Sequence, residues 1–107
     1  MIVRSADKQP MDVQPGTVRT VLSHGERLMI AEFDLTRGAQ IAPHRHPHEQ
    51  ISYVLSGAIR YTIGDDTFEL AAGESCLVPP DALHTVEVLV DSKVLDVFAP
   101  PREDFLG

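Results

Sequence analysis

An all-β single domain is the fold class this chain predicts, and three observations carry the prediction. Short runs rich in Val, Ile, Thr and Tyr recur at near-regular spacing, separated by turn-forming residues, as in a sandwich or barrel. No stretch keeps a helical period between caps at both ends. The chain is 43% apolar yet has no Trp and few aromatics, so its core is built mainly from Val, Leu, Ile and Ala. Its length of 107 residues is that of one compact domain, without the composition break of a linker.

Residues 1–16 carry Pro10, Pro15 and Gly16 without clear periodicity and read as an irregular N-terminal arm lying along an edge or a partner; 17–107 is the domain proper. Strands are expected over 17–23, 27–35, 40–46, 50–55, 58–63, 67–70, 75–78, 85–90 and 93–99. The separators His24-Gly25-Glu26, Thr36-Arg37-Gly38, Ser56-Gly57, Gly64-Asp65-Asp66, Ala72-Gly73 and Asp91-Ser92 are of turn-forming types. The only competitor for a helix, 102–106, is too short to be stable alone.

A formal charge of −7 without a basic run argues against nucleic acid and anionic membranes as partners, but admits a small anion wherever a local cation receives it. The first residues lack the apolar core of a signal peptide, and no apolar run approaches spanning length, so the cytoplasm is the expected compartment. Cys76 is the only cysteine, which rules out an intramolecular disulfide; with apolar neighbours and no adjacent base, it reads as a small buried hydrophobe.

Chemistry concentrates in Ala42-Pro43-His44-Arg45-His46-Pro47-His48-Glu49-Gln50. Alternate strand residues share a face, so His44 and His46 can converge on one point, and neutral imidazole is a common ligand for transition metals. The alternative is a polar histidine turn on the surface. By the same alternation, if Gln50 faces inward then Glu49 faces away. His48 falls in the turn, where a solvated role is expected, and His24 at a hairpin tip should face solvent.

Gly38, His44-Arg45-His46, Gln50 and Gly57, followed by Gly73, Pro79-Pro80-Asp81 and His84, resemble in order and spacing the two motifs of the cupin superfamily. The resemblance implies a double-stranded β-helix, or jelly-roll barrel. It also implies one divalent transition metal ion (Ni, Fe, Mn, Co or Zn) on His44, His46, Gln50 and His84. Gln50 stands where the commonest pattern has Glu, Val88 where Asn is frequent and Asp81 where Gly is usual. A ligand set of three imidazoles and an amide leaves the charge of a divalent ion uncancelled, so a stronger Lewis acid is expected.

The last strand has a carboxylate, Asp96, in an apolar run; alternation puts Val94, Asp96 and Phe98 on one face and Leu95, Val97 and Ala99 on the other. Both faces therefore need cover, and a homodimer is expected. The tail Asp96-x-Phe98-x-x-x-Arg102, with the histidine motif, is similar to the cupins of pectin and alginate breakdown that linearise 4,5-unsaturated monouronates. That resemblance implies a small anionic, sugar-like substrate. It also implies catalytic roles for Asp96 in moving a proton, Arg102 in clamping a carboxylate and Phe98 in walling the pocket. The structural alternatives are a carboxylate tied to amides or an Arg, ordinary core for Phe98, and a salt bridge from Arg102 to Glu103 or another acid. Two other functions remain open to the same residues, an iron-dependent dioxygenase and a non-catalytic binding module.

Overall fold

Two long antiparallel strands, β5 (Glu49–Ile63) and β8 (His84–Ala99), form the frame of the molecule, and each runs through both walls of a barrel. The computed structural model describes residues 1–106. The other strands are β1 (Met11–Gln14), β2 (Thr17–His24), β3 (Met29–Leu35), β4 (Gln40–His44), β6 (Asp66–Ala71) and β7 (Ser75–Val78). The only helical segments among the described residues are two 3₁₀ turns, Ser5–Asp7 and Glu103–Phe105. The second is all that forms of the helix competitor at 102–106.

In one wall, β1, β2, β3, the C-terminal half of β8, the N-terminal half of β5 and β7 lie side by side; in the other, β4, the N-terminal half of β8, the C-terminal half of β5 and β6 do so. This is the jelly-roll barrel that the sequence resemblance implies. Its core is aliphatic, with Val54, Ile59, Val78, Val86, Val88 and Val94 buried around Tyr61. Strand alternation sends Val94, Asp96 and Phe98 inward from β8, as expected.

β4 ends at His44, not at 46, so His46 lies beyond the strand, and the structure differs from the sequence reading in two larger ways. The runs 50–55 and 58–63 are one strand, as are 85–90 and 93–99, because Ser56-Gly57 and Asp91-Ser92 are bends rather than turns. The two bends are packed together. Gly57 has φ +90°, and a Cβ there would overlap Ser92 Oγ and the Asp91 carbonyl oxygen. Ser92 Oγ accepts from the Ala58 amide at 3.0 Å and donates to the Val90 carbonyl at 2.7 Å, replacing ladder bonds lost at the corner.

The second difference is the arm. Its residues 11–14 are not irregular but form β1, paired to β2 through Met11↔Arg19 and Gln14↔Thr17. Pro10 and Pro15 flank this edge strand instead of interrupting it, and Gly16 at φ +76° completes a Pro-Gly turn.

Candidate metal centre and its cavity

Four side chains from four parts of the chain meet at one end of the barrel. His44 closes β4, His46 lies in the connection to β5, Gln50 is the second residue of β5 and His84 is the first of β8. β4 and β8 place His44 opposite His84. The loop bearing His46 is pinned by its carbonyl, which accepts the Asp81 amide at 2.8 Å. Asp81, standing at the usual glycine position, adopts the glycine-like φ of +62° that this turn requires. Ligand atoms of His44, His46 and His84 all lie within 4.8 Å of one another, a spacing that can hold a metal ion.

The tautomers are set by the backbone. His44 Nδ1 is 2.9 Å from the Ala42 carbonyl oxygen and His84 Nδ1 is 2.8 Å from that of Ala82, so each Nδ1 carries the donated proton and each Nε2 keeps a free lone pair. His84 Nε2, both ring nitrogens of His46 and Gln50 Oε1 are buried without a hydrogen-bond partner. Buried acceptors left unpaired are costly, and a shared cation is the group that satisfies several lone pairs at once. The donor set therefore fits a metal.

Burial holds His46 down to about 4, helped by the charges of Arg102 and the neighbouring histidines. Burial also lowers His84, against an opposing hydrogen bond to Ala82. His46 and His84 are thus neutral and ligand-competent around neutral pH.

Gln50 is 4% exposed, while Glu49 is on the outer surface, as alternation requires. The Gln50 amide nitrogen faces Ser52 Oγ at 3.3 Å and the Tyr61 hydroxyl at 3.4 Å. Tyr61 lies 2.7 Å from Ser52 Oγ, which in turn donates to Asp96 Oδ1 at 2.5 Å. The donors run one way, from Gln50 through Tyr61 and Ser52 to Asp96. That direction turns the amide nitrogen inward and leaves its oxygen without a partner. Burial pushes the Asp96 carboxyl up to about 6, against the hydrogen bonds from Ser52 and Gln50 and the charge of Arg102, which favour ionisation.

Asp96 and Phe98 project from β8 into a cavity of about 210 Å³ that is also lined by His44, Gln50, His84 and Arg102. Of the structural alternatives, Asp96 is tied to side chains, chiefly the Ser52 hydroxyl, rather than to backbone amides or an Arg. Phe98 is fully buried and also walls the cavity. Arg102 grips Asp104 through Nε at 3.0 Å and Nη2 at 2.8 Å, with its guanidinium carbon 5.2 Å from the Phe98 ring centre.

Two expectations are corrected. His48 is not a solvated turn residue: it is half-buried with Nδ1 out of solvent, because its ring packs 5.2 Å from that of His46 and 6.4 Å from that of Phe98. His24 is also half-buried, since it ends β2 in register with the buried Met29. Cys76 is half-buried against the core, its thiol pushed up to about 11 mainly by burial, consistent with an inert packing residue. The sequence reading overlooked Ser52, although it is two residues beyond Gln50 on the same strand face; for Tyr61, across the bend, and Phe105, in the tail, the spacing gave no signal.

A jelly-roll barrel with three histidines converging at its mouth defines a class, and residues 31–98 match the cupin domain family model; the chain belongs to the cupin family. Among its relatives is the pectin degradation protein KdgF of Dickeya dadantii, 32% identical over 93 residues that span 85% of this chain and 84% of that protein. The structure of KdgF from Halomonas sp. superposes with a TM-score of 0.93 at 32% identity, covering 98% of this chain and 97% of that one. An RmlC-like cupin from Shewanella frigidimarina gives 0.92 at 30% identity, covering 97% and 94%.

Proposed function

We infer that this chain is a metal-dependent cupin enzyme that converts 4,5-unsaturated monouronates to the linear keto form. The observation that carries the reading is the placement of Asp96, a buried carboxyl with a raised pKa, in the same cavity as His44, Gln50 and His84, in a relative of KdgF. His44, His46, Gln50 and His84 would hold the ion, whose contribution when bound is to polarise substrate oxygens.

The reaction is an isomerisation. The ring bond between the anomeric carbon and the ring oxygen breaks, the anomeric hydroxyl loses its proton as the aldehyde forms, the ring oxygen leaves as an enolate, and a proton adds to the far carbon of the double bond as the ketone forms. Asp96 is suited to move that proton because its pKa of about 6 is close to working pH. Ser52 holds the carboxyl in place, Phe98 walls the ring and excludes water, and Arg102 supplies positive charge for the substrate carboxylate, with Asp104 fixing its orientation.

Loss of the conjugated-ene absorbance of an unsaturated monouronate tests the reading directly. Asp96→Asn should lower turnover by about 10²-fold or more while retaining metal and fold; unchanged turnover would remove Asp96 from the chemistry. Turnover should be equal with and without oxygen, and a requirement for oxygen would replace this reading with a dioxygenase.

The reading includes a homodimer. On the outer surface Leu77, Ile51, Val97 and Ile30 lie in a row across β7, β5, β8 and β3, flanked by Tyr53 and Leu95. Ile51 is 45% and Leu77 52% exposed in the single chain. The proposed compartment is the cytoplasm, where a lone thiol with no disulfide partner stays reduced. No helix among the described residues is long and apolar enough to cross a membrane.

A further inference from the structure

The β1–β2 hairpin, outside the segment that matches the family model, closes part of the cavity with polar groups that neither the metal centre nor the Asp96 network uses. Thr17 and Arg19 are two apart on β2, share a face and line the cavity that holds Asp96 and His84. Thr17 is 3% exposed, and its hydroxyl is buried with no hydrogen-bond partner. Such a hydroxyl facing a cavity is a donor and acceptor awaiting a ligand.

Arg19 lies with its guanidinium carbon 3.9 Å from the centre of the Phe105 ring, which also carries Arg102 at 4.3 Å. Phe105 is itself anchored edge-on against Phe98 and Phe33. Arg102 spends two of its nitrogens on Asp104, whereas Arg19 forms no ion pair among the described residues and has only a long contact, 3.7 Å, to the Met11 sulfur. Asp104 is gripped by Arg102 and Asp96 is held by Ser52, so Arg19 is the guanidinium of this site left without a paired carboxylate. Stacking on Phe105 holds the Arg19 fork in place with its carboxylate-binding edge unspent.

We propose that this hairpin is the recognition subsite for an acidic sugar, Arg19 completing with Arg102 the clamp on the substrate carboxylate and Thr17 hydrogen-bonding a sugar hydroxyl. The inference rests on the uronate reading above and makes the hairpin, rather than the histidine cluster, the part that selects an acid over a neutral sugar. Its test is separable from catalysis. Binding of galacturonate and of its methyl ester to the full-length, metal-loaded chain is measured by calorimetry, in wild type and in Arg19→Met, which keeps the apolar stem over Phe105.

Wild type should prefer the acid, and Arg19→Met should lose about 10- to 100-fold in affinity for the acid with little change for the ester. Arg19→Lys, with the charge but not the fork, should fall between and carries the comparison if the methionine variant does not fold. Thr17→Val should raise the melting temperature, because an unsatisfied buried hydroxyl is removed, and weaken binding of both sugars several-fold. A purely structural Thr17 would leave binding unchanged. Equal preference for the acid in wild type and Arg19→Met, or no preference in wild type, overturns the proposal. Failure of wild type to consume an unsaturated uronate would count against the catalytic reading alone.

Discussion

The residues of the metal centre are held in an electrostatic state that acid should undo. A histidine buried neutral, with its pKa lowered, binds fewer protons in the folded than in the unfolded chain between the two values. The stability it supports is complete above its ordinary value of 6.5 and declines as pH falls; for His46 the decline runs toward about 4, and His84 shifts in the same direction. Asp96 has the opposite sign. Raised from 3.8 to about 6, it favours the fold at low pH, and that contribution is lost as pH rises through about 6. In the metal-free protein the histidines and Asp96 oppose each other between about 4 and 6. Urea midpoints should fall on acidification from pH 7, and should fall more steeply in Asp96→Asn, which removes the opposing group.

The same unpaired lone pairs predict that a divalent transition metal stabilises the fold. Metal at about 100 times its dissociation constant should add about 2.7 kcal/mol, read as a rise in melting temperature that a chelator reverses. The ligand candidates were legible because the histidine motif is local in sequence and because alternation along a strand puts Glu49 and Gln50 on opposite faces; that His46 sits in a loop beyond β4 was not legible. Thr17, Arg19 and Phe105 were not legible either, because they meet only after the hairpin and the tail have folded over the same opening.

At the scale of elements, the sequence marks the corners of β5 and β8 but not their nature. Ser56-Gly57 and Asp91-Ser92 have turn composition, and a chain break at each is the ordinary local inference. The distinction between a turn and a shared bend depends on Gly57 lying against Ser92, a contact between residues distant in sequence. Gly57→Ala would force an unfavourable positive φ and drive a methyl into the backbone of β8, whose Ser92 Cα would lie 2.7 Å from the new carbon. A loss of about 2–5 kcal/mol in unfolding free energy is expected by denaturant titration, larger than for an ordinary surface substitution. The arm lies along an edge, as expected, but as a regular strand, for a related reason. Its prolines lack the N–H that a central strand needs, but β1 is an edge strand and tolerates them at its ends.

For the whole molecule, a small barrel wall carries apolar residues on both surfaces. The inner surface builds the core, and the outer row through Ile51 and Leu77 is open in a single chain. If two copies cover it, Leu77→Glu should shift the protein from dimer to monomer in light scattering at micromolar concentration while the spectrum of the fold is retained. A wild-type chain that stays monomeric at all accessible concentrations would overturn the dimer. All-β architecture was legible because it follows from strand length and turn spacing, whereas the curvature that closes the barrel depends on contacts made only in the folded state.

The central pairing of β5 with β8 brings Glu49 opposite Ala99 and Ile63 opposite His84, so the frame closes from its sequence-near end toward its far end. Little of this barrel can be rewarded by local contacts before a long loop has been closed, and topologies of that kind fold on the millisecond-to-second scale. The histidine at the near end and the carboxylate toward the far end ride on one strand. Bringing His84 and Asp96 into one cavity therefore requires the whole length of the β5–β8 pairing to be in place.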